Sequence, residues 1–177
     1  MTNEPSSPVC YAAEADAYMG FADREEILRA LGELLEAERA VARAARIGGK
    51  AAEPAGYSEL MRLLGKDKAG WCAALARRIR QLGGSPPRKA RGPRKALWDP
   101  FGHLLALNRD QARILHRLER LLPRVRDDAL HAELKAMADS HRAAIALADA
   151  FLERKGAPAP PARQDAPSGR DKAGGPR

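Results

Sequence analysis

The 177-residue sequence has few cysteines and no long apolar run. Its two cysteines, Cys10 and Cys72, have no CxxC spacing, so the pattern favours neither a disulfide framework nor a zinc ribbon. No stretch approaches the roughly 20 apolar residues that a membrane-spanning helix needs. Residues 1–8 also lack the basic and apolar regions of a secretory signal. We therefore expect a cytoplasmic protein without a membrane partner.

Strand-forming patterns are also missing. Aromatic residues make up 5% of the chain, and no run of β-branched residues alternates with polar ones. Alanine, leucine and arginine, which favour helices, dominate instead. The sequence has no glycine-rich phosphate loop, no Ser-His-Asp order and no kinase motif, so it leaves open whether the protein is an enzyme. An all-α fold follows, in one domain with tails.

Apolar residues recur with helical spacing in four segments. The predicted helices span about residues 23–47, 58–82, 99–123 and 127–154. Asp23 and Glu26 have the spacing of a capping box, and Asp99-Pro100 is a strong helix start. We expect residues 1–22 to be a partly disordered N-terminal segment, residues 23–154 a four-helix bundle, and residues 155–177 a disordered tail.

Each apolar stripe is interrupted by a polar residue near the middle of its helix. The interruptions are Glu38, then Asp67 or Lys68, then Asn108 with Gln111, and finally His141. An antiparallel first pair of helices brings Glu38 and Lys68 to within about one turn of each other. All four interruptions share one layer if the third helix starts at the same end as the second.

That arrangement requires a long connection between helices 2 and 3. A helix of about 25 residues is roughly 38 Å long, and about sixteen extended residues reach roughly 50 Å. The linker can therefore run the length of the bundle, which is the connection found in ferritin-type bundles and the one that we favour. An up-down-up-down bundle is the alternative, since it displaces the polar residues by only about one turn.

A set of short segments resembles an uncharacterised bacterial family of the ferritin-like superfamily, over residues 7–154. These segments are Ser7-Pro8-Val9-Cys10-Tyr11, Leu34-Leu35-Glu36-Ala37-Glu38-Arg39-Ala40, Asp67-Lys68-Ala69-Gly70-Trp71-Cys72, Leu107-Asn108-Arg109-Asp110-Gln111, and Met137 with His141. The resemblance implies a ferritin-like four-helix bundle and no established activity.

Di-iron members of that superfamily use a Glu on each of two helices and Glu-x-x-His on the other two. By resemblance, Glu38 matches the first-helix Glu and His141 the His of the fourth helix. Lys68 stands where an acidic residue is expected, and Ala138 replaces the Glu three residues before His141. The resemblance therefore implies that a complete di-iron centre is lost.

Two hypotheses concern the polar layer, which we define as Glu38, Lys68, Asn108, Gln111 and His141. In the first, Glu38 and Lys68 form a buried ion pair, and the layer is structural or holds a small ligand. In the second, Glu38 and His141, helped by Cys72 or Asp67, bind one iron, zinc or manganese ion for redox or storage chemistry.

A third hypothesis concerns charge. The net charge of +8 comes from 31 basic and 23 acidic residues, and residues 69–98 contain no acidic residue. The basic residues that we consider there are Arg77, Arg78, Arg80, Arg88, Lys89, Arg91, Arg94 and Lys95. This stretch predicts non-specific, salt-sensitive binding to nucleic acid or another polyanion.

Amphipathic helices also allow a homo-oligomer, and Cys10 is a candidate reactive thiol.

Overall fold

The computed structural model describes residues 19–50, 54–88 and 99–156, and these form four α-helices. The helices are α1 (Arg24–Gly48), α2 (Tyr57–Gln81), α3 (Pro100–Leu121) and α4 (Asp128–Gly156), with a 3-10 turn at Leu122–Arg124. No strand occurs within these ranges. The all-α prediction is confirmed, and the predicted helix ends agree to within two residues. The N-terminal segment up to residue 18, with Cys10, and the tail from residue 157 lie outside the described residues.

The helix starts depend on local side chains. The Asp23 carboxylate accepts a hydrogen bond from the Glu26 amide at 2.7 Å, and the Glu26 carboxylate accepts one from the Asp23 amide at 3.4 Å. Asp99 accepts from the amides of Phe101 and Gly102 at 3.1 and 2.8 Å. Both caps satisfy amides that have no partner within the helix. They explain why α1 and α3 begin where the sequence indicates.

Contacts between helix ends establish the topology. Arg24, at the start of α1, donates to the Leu82 carbonyl just after α2, and the Ala22 amide donates to the Arg124 carbonyl at 2.8 Å. At the opposite end, His103 Nε2 lies 3.0 Å from the Ala44 carbonyl oxygen. Helices α2 and α3 therefore start at the same end of the bundle. Residues 82 and 99, which the connection joins, therefore lie at opposite ends of the bundle, as predicted.

The connection begins along α1. Gly83 adopts a left-handed φ of +73° just after α2, a conformation that glycine tolerates without strain, and it turns the chain back. Arg39, midway along α1, then donates to the Pro87 carbonyl. This path carries the linker from the end of α2 toward the other end of the bundle.

One apolar core runs between the helices. It includes Leu31, Leu34 and Leu35 of α1, Met61 and Ile79 of α2, Leu104 and Leu118 of α3, and Leu134 and Met137 of α4. None of the four helices is both long enough and apolar enough to cross a membrane over the ranges described. Polar side chains that lie within this core are isolated from water, and these buried polar side chains form the candidate site.

Candidate functional site

The five residues of the polar layer are buried midway along the bundle. Glu38, Lys68, Gln111 and His141 have no solvent exposure, and Asn108 is 8% exposed. Each helix contributes at least one of them, because each carries its polar interruption on its core-facing stripe. Charged groups at such depth are costly unless they are paired and hydrogen-bonded. Their partners therefore decide what the layer can do.

His141 lies between the two buried charges. Its Nε2 contacts Glu38 Oε1, and its Nδ1 lies 3.4 Å from Lys68 Nζ. Since a lysine ammonium has only hydrogens to offer, Nδ1 accepts, and Nε2 then carries the ring hydrogen and donates to Glu38. A neutral imidazole thus bridges a cation and an anion. The direct Glu38–Lys68 pair expected from the sequence is replaced by this three-member chain.

The chain continues outward from Lys68. Its ammonium lies 3.0 Å from the carboxylate of its neighbour Asp67, which is partly exposed. Asp67 also accepts from the Ser140 hydroxyl at 2.9 and 3.0 Å, and Trp71 Nε1 donates to that hydroxyl at 3.1 Å. The order of formal charges is therefore anion, cation, neutral ring, anion, from Asp67 to Glu38. This alternation stabilises the ammonium inside the core.

The amides of α3 form a second group. Gln111 Nε2 donates to Asn108 Oδ1 at 3.3 Å, and Asn108 Nδ2 donates to Asp149 Oδ1 on α4 at 2.7 Å. Asp149 and Ser140 were not anticipated from the sequence. Both lie on α4 and contact residues of neighbouring helices. In the sequence, only their spacing from His141 could have indicated these contacts.

Two buried acceptor atoms of the layer have no hydrogen-bond donor within the described parts of the chain. They are Glu38 Oε2 and Gln111 Oε1. A buried acceptor without a donor costs about 1–3 kcal/mol. Because both atoms are acceptors, the chemistry of the layer suits a hydrogen-bond donor or a cation rather than an anion.

The candidate metal ligands are only partly brought together. Glu38 and His141 are in contact, but Asp67 is engaged by Lys68 and Ser140. Burial, reinforced by the nearby Glu38 carboxylate, raises the pKa of the Cys72 thiol to about 11. Cys72 is therefore a neutral thiol at pH 7, whereas metals bind the thiolate. In the ranges that the structure describes, no three His, Cys, Asp or Glu side chains are grouped to hold a metal ion.

These residues do not fit the di-iron centre that some ferritin-like bundles hold. The Lys68 ammonium donates to His141 Nδ1, and Glu38 accepts from Nε2, so both ring nitrogens are engaged by protein groups. The position three residues before His141 is Ala138, which is buried and offers no oxygen. One carboxylate and an engaged imidazole do not replace the four carboxylates and two histidines of such a centre.

The predicted polyanion-binding stretch is partly neutralised by α4. Arg77 and Arg78 bind the Glu133 carboxylate at 3.3 and 2.9 Å, and Arg80 donates to the Ala76 carbonyl at 3.3 Å. Arg88 is exposed. The remaining members, Lys89, Arg91, Arg94 and Lys95, lie outside the described residues. Binding of nucleic acid and self-association stay predictions.

Comparison with known proteins identifies the family and the fold. The chain resembles a solved two-domain protein from Anabaena variabilis ATCC 29413, which contains DJ-1/ThiJ/PfpI-like and ferritin-like domains, with a TM-score of 0.66 and 16% identity. The match covers 94% of this chain and 48% of that protein, so the chain spans about half of its length. No curated protein matches the sequence. Residues 25–150 match the family described as domain of unknown function DUF6306. The chain therefore belongs to the DUF6306 family and has a ferritin-like four-helix bundle fold.

Proposed function

We propose that this protein is a metal-independent ferritin-like bundle, in which the Lys68 ammonium supplies the buried positive charge that a metal ion supplies in di-iron relatives. The observation that carries this proposal is the position of Lys68 Nζ, 3.4 Å from His141 Nδ1 and fully buried. The ammonium takes the acceptor face of the imidazole that a metal would need.

Electrostatics opposes the simultaneous presence of a metal ion. Two unit positive charges about 4 Å apart repel by about 4 kcal/mol at an effective dielectric constant of about 20, and a divalent ion doubles this. Asp67 and Glu38 already balance the ammonium from both ends of the chain. A metal ion would therefore have to displace Lys68 from a position that its neighbours stabilise.

In this proposal the polar layer sets the register of the four helices. Glu38 with His141 links α1 to α4, Asp67 with Ser140 links α2 to α4, and Asn108 with Asp149 links α3 to α4. A slip of one helix by one turn, about 5.4 Å, would break its link and leave buried polar groups unpaired. The layer thus serves specificity of packing, with small hydrogen-bond donors as its only ligands.

A metal titration tests the proposal. The protein is stripped with chelator, incubated with excess Fe(II), Zn(II) or Mn(II), desalted and analysed for metal content and thermal unfolding. We expect well under one equivalent of metal and an unchanged Tm. Near one equivalent that is lost in the Glu38→Ala, His141→Ala double variant would overturn the proposal.

A charge-reversal variant sharpens the test. Lys68→Glu removes the ammonium and restores an acidic residue beside Glu38 and His141, so it should gain metal-dependent stability of about 2.7 kcal/mol at 100 times the Kd. Lys66→Glu is the matched control, because this exposed lysine on the same helix makes the same charge change outside the core. If Lys68→Glu does not fold without metal, refolding that depends on added metal gives the same answer.

A second candidate function is a mononuclear metal protein that uses Glu38 and His141. It is favoured by one observation, the buried Glu38 Oε2, which has no donor among the described residues. This candidate predicts that wild-type protein retains metal and that Lys68→Met raises its affinity. The same titration separates it from the metal-independent proposal.

A further inference from the structure

A groove of about 770 Å³ runs between α1 and α2, apart from the polar layer. Its floor is apolar and formed by small side chains and one methionine, namely Ala42, Ala45, Met61, Gly65 and Ala69. Because these side chains are small, they leave an open channel on the surface where α1 contacts α2. We call this feature the basic groove, because of the charges around it.

The rim of the basic groove carries a surplus of positive charge. Arg39, Arg43, Arg46 and Lys50 follow one side of α1 and the turn after it, and Arg62 stands opposite on α2. The steps of four and three residues put Arg39, Arg43 and Arg46 on one helix face, and Lys50 follows in the turn after α1. From residue 39 to residue 50 the rim extends roughly 16 Å. The groove therefore presents cations along its whole length.

Among the described residues that line the groove, Glu59 is the one carboxylate, and it is already neutralised. Its two oxygens accept from Arg62 at 2.7 and 2.8 Å. Arg46 and Lys50 are exposed to solvent. Because Arg62 is used in that pair, the exposed Arg46 and Lys50 are the cations that favour an anionic occupant.

The start of α2 adds to the positive potential at one end. Ser58 and Glu59 of its first turn line the groove beside Lys50. The residue before the helix, Gly56, has a φ of +83° and provides no side-chain cap. The amides of a first helical turn and the positive end of the helix dipole attract phosphate groups. Because α1 ends at Gly48 beside this start, the negative end of its dipole opposes that of α2, and the first-turn amides are what α2 adds to the cations.

We propose that the basic groove binds a nucleoside polyphosphate. The phosphates lie at the end formed by Arg46, Lys50 and the first turn of α2. The nucleoside lies along the apolar floor toward Arg39, whose guanidinium donates to the Pro87 carbonyl in its plane and can stack on a planar ring through its face. A fatty acid would use cations at one end alone, and inorganic polyphosphate would leave the apolar floor without a partner. This inference is independent of whether the polar layer binds metal.

Calorimetric titration of the full chain with ATP tests the proposal at fixed ionic strength. We expect saturable binding that the Arg46→Gln, Lys50→Gln double variant weakens about tenfold or more, because it removes two charge-assisted contacts. The matched control is Arg29→Gln, Arg120→Gln, which removes two exposed cations from the groove between α1 and α3. This control should change the Kd less than about twofold. Equal losses in both double variants would show general charge attraction and overturn the proposal, as would the absence of ATP binding.

Two further ligands and one further variant test the apolar floor. Tripolyphosphate should bind more weakly than ATP, and dodecanoate should not compete with ATP. Ala69→Leu places a larger side chain on the floor at an exposed helical position, so it should weaken ATP binding without unfolding the protein. Tripolyphosphate binding as tight as that of ATP, displacement by dodecanoate, or an unaffected Ala69→Leu variant would each refute nucleoside recognition.

Discussion

The polar layer and the basic groove use charge in opposite ways, although both include residues of α1 and α2. Through the layer, the charges of Asp67, Lys68 and Glu38 alternate in sign, with the neutral His141 ring between the last two, and each of these charged groups has a partner. In the groove, Arg62 and Glu59 pair with each other, and Arg46 and Lys50 are exposed to solvent. A buried charge must be matched within the protein, because desolvation costs several kcal/mol per ion. An exposed charge keeps its hydration and remains available to a ligand.

The largest expected effect is the loss of Glu38. Glu38→Leu leaves the His141 ring hydrogen without its acceptor and removes one of the two carboxylates that balance the buried Lys68 ammonium, so we expect the free energy of unfolding to fall by about 3–5 kcal/mol. Urea denaturation followed by circular dichroism measures this. The control is Glu33→Leu, since Glu33 is exposed on the same helix and should change stability by less than about 0.5 kcal/mol. Similar small losses in both variants would contradict a charged, interdependent layer.

Tyr57 gives the next largest effect, through pH. Its side chain is buried with no hydrogen-bond partner for the hydroxyl among the described residues, and burial, followed by the Asp99 charge, raises its pKa to about 12. An unfolded tyrosine has a pKa of about 10. The unfolded state therefore loses its proton first, and stability present below pH 10 falls by up to about 3 kcal/mol between pH 10 and pH 12.

The Tyr57→Phe variant isolates this contribution from the titration of other groups. The difference in unfolding free energy between wild type and variant should follow the tyrosine alone, and at pH 7 the variant should be at least as stable, because it removes an unpaired buried hydroxyl. Parallel stability curves for the two proteins from pH 9 to pH 12 would show that Tyr57 is not responsible.

Coupling between the two buried charges is expected to be smaller but still measurable. The Glu38→Leu, Lys68→Met double variant removes the anion and the cation together, so its destabilisation should be at least about 1 kcal/mol less than the sum of the single variants. A double-mutant cycle by chemical denaturation measures this. Strict additivity would mean that His141 insulates the two charges from each other.

The smallest expected change in unfolding free energy concerns the cations of the basic groove. Arg46→Gln and Lys50→Gln should each change the free energy of unfolding by less than about 0.5 kcal/mol, since both side chains are exposed. Thermal unfolding in dilute buffer is sufficient to detect a larger change. A loss of 2 kcal/mol or more would indicate that these cations stabilise the fold instead of serving a ligand.

The local signals were sufficient for the helices and for the composition of the polar layer. The Asp23 and Glu26 capping box and the Asp99-Pro100 start involve residues at most three positions apart, so they can be recognised in the sequence without knowledge of the fold. A polar residue on an apolar stripe is likewise visible in helical spacing. That periodicity alone predicted the polar positions, but it left Asp67 and Lys68 as alternatives on the second helix.

The pairing within the layer could not be obtained in the same way. Glu38 and His141 are 103 residues apart, and Lys68 and His141 are 73 apart. Spacing places these side chains at one height but does not say which of them lies between the others. Ser140 and Asp149 were missed for the same reason, and so was Glu133, which neutralises Arg77 and Arg78 from another helix.

The sequence by itself therefore determined four helices, their caps and the height at which each becomes polar, because these depend on residues a few positions apart. The tertiary structure decided that an imidazole separates Glu38 from Lys68, and that small residues of α1 and α2 leave the basic groove between them. Both outcomes depend on contacts between side chains that are distant in the sequence. Close packing and charge compensation select those contacts only when all four helices are assembled.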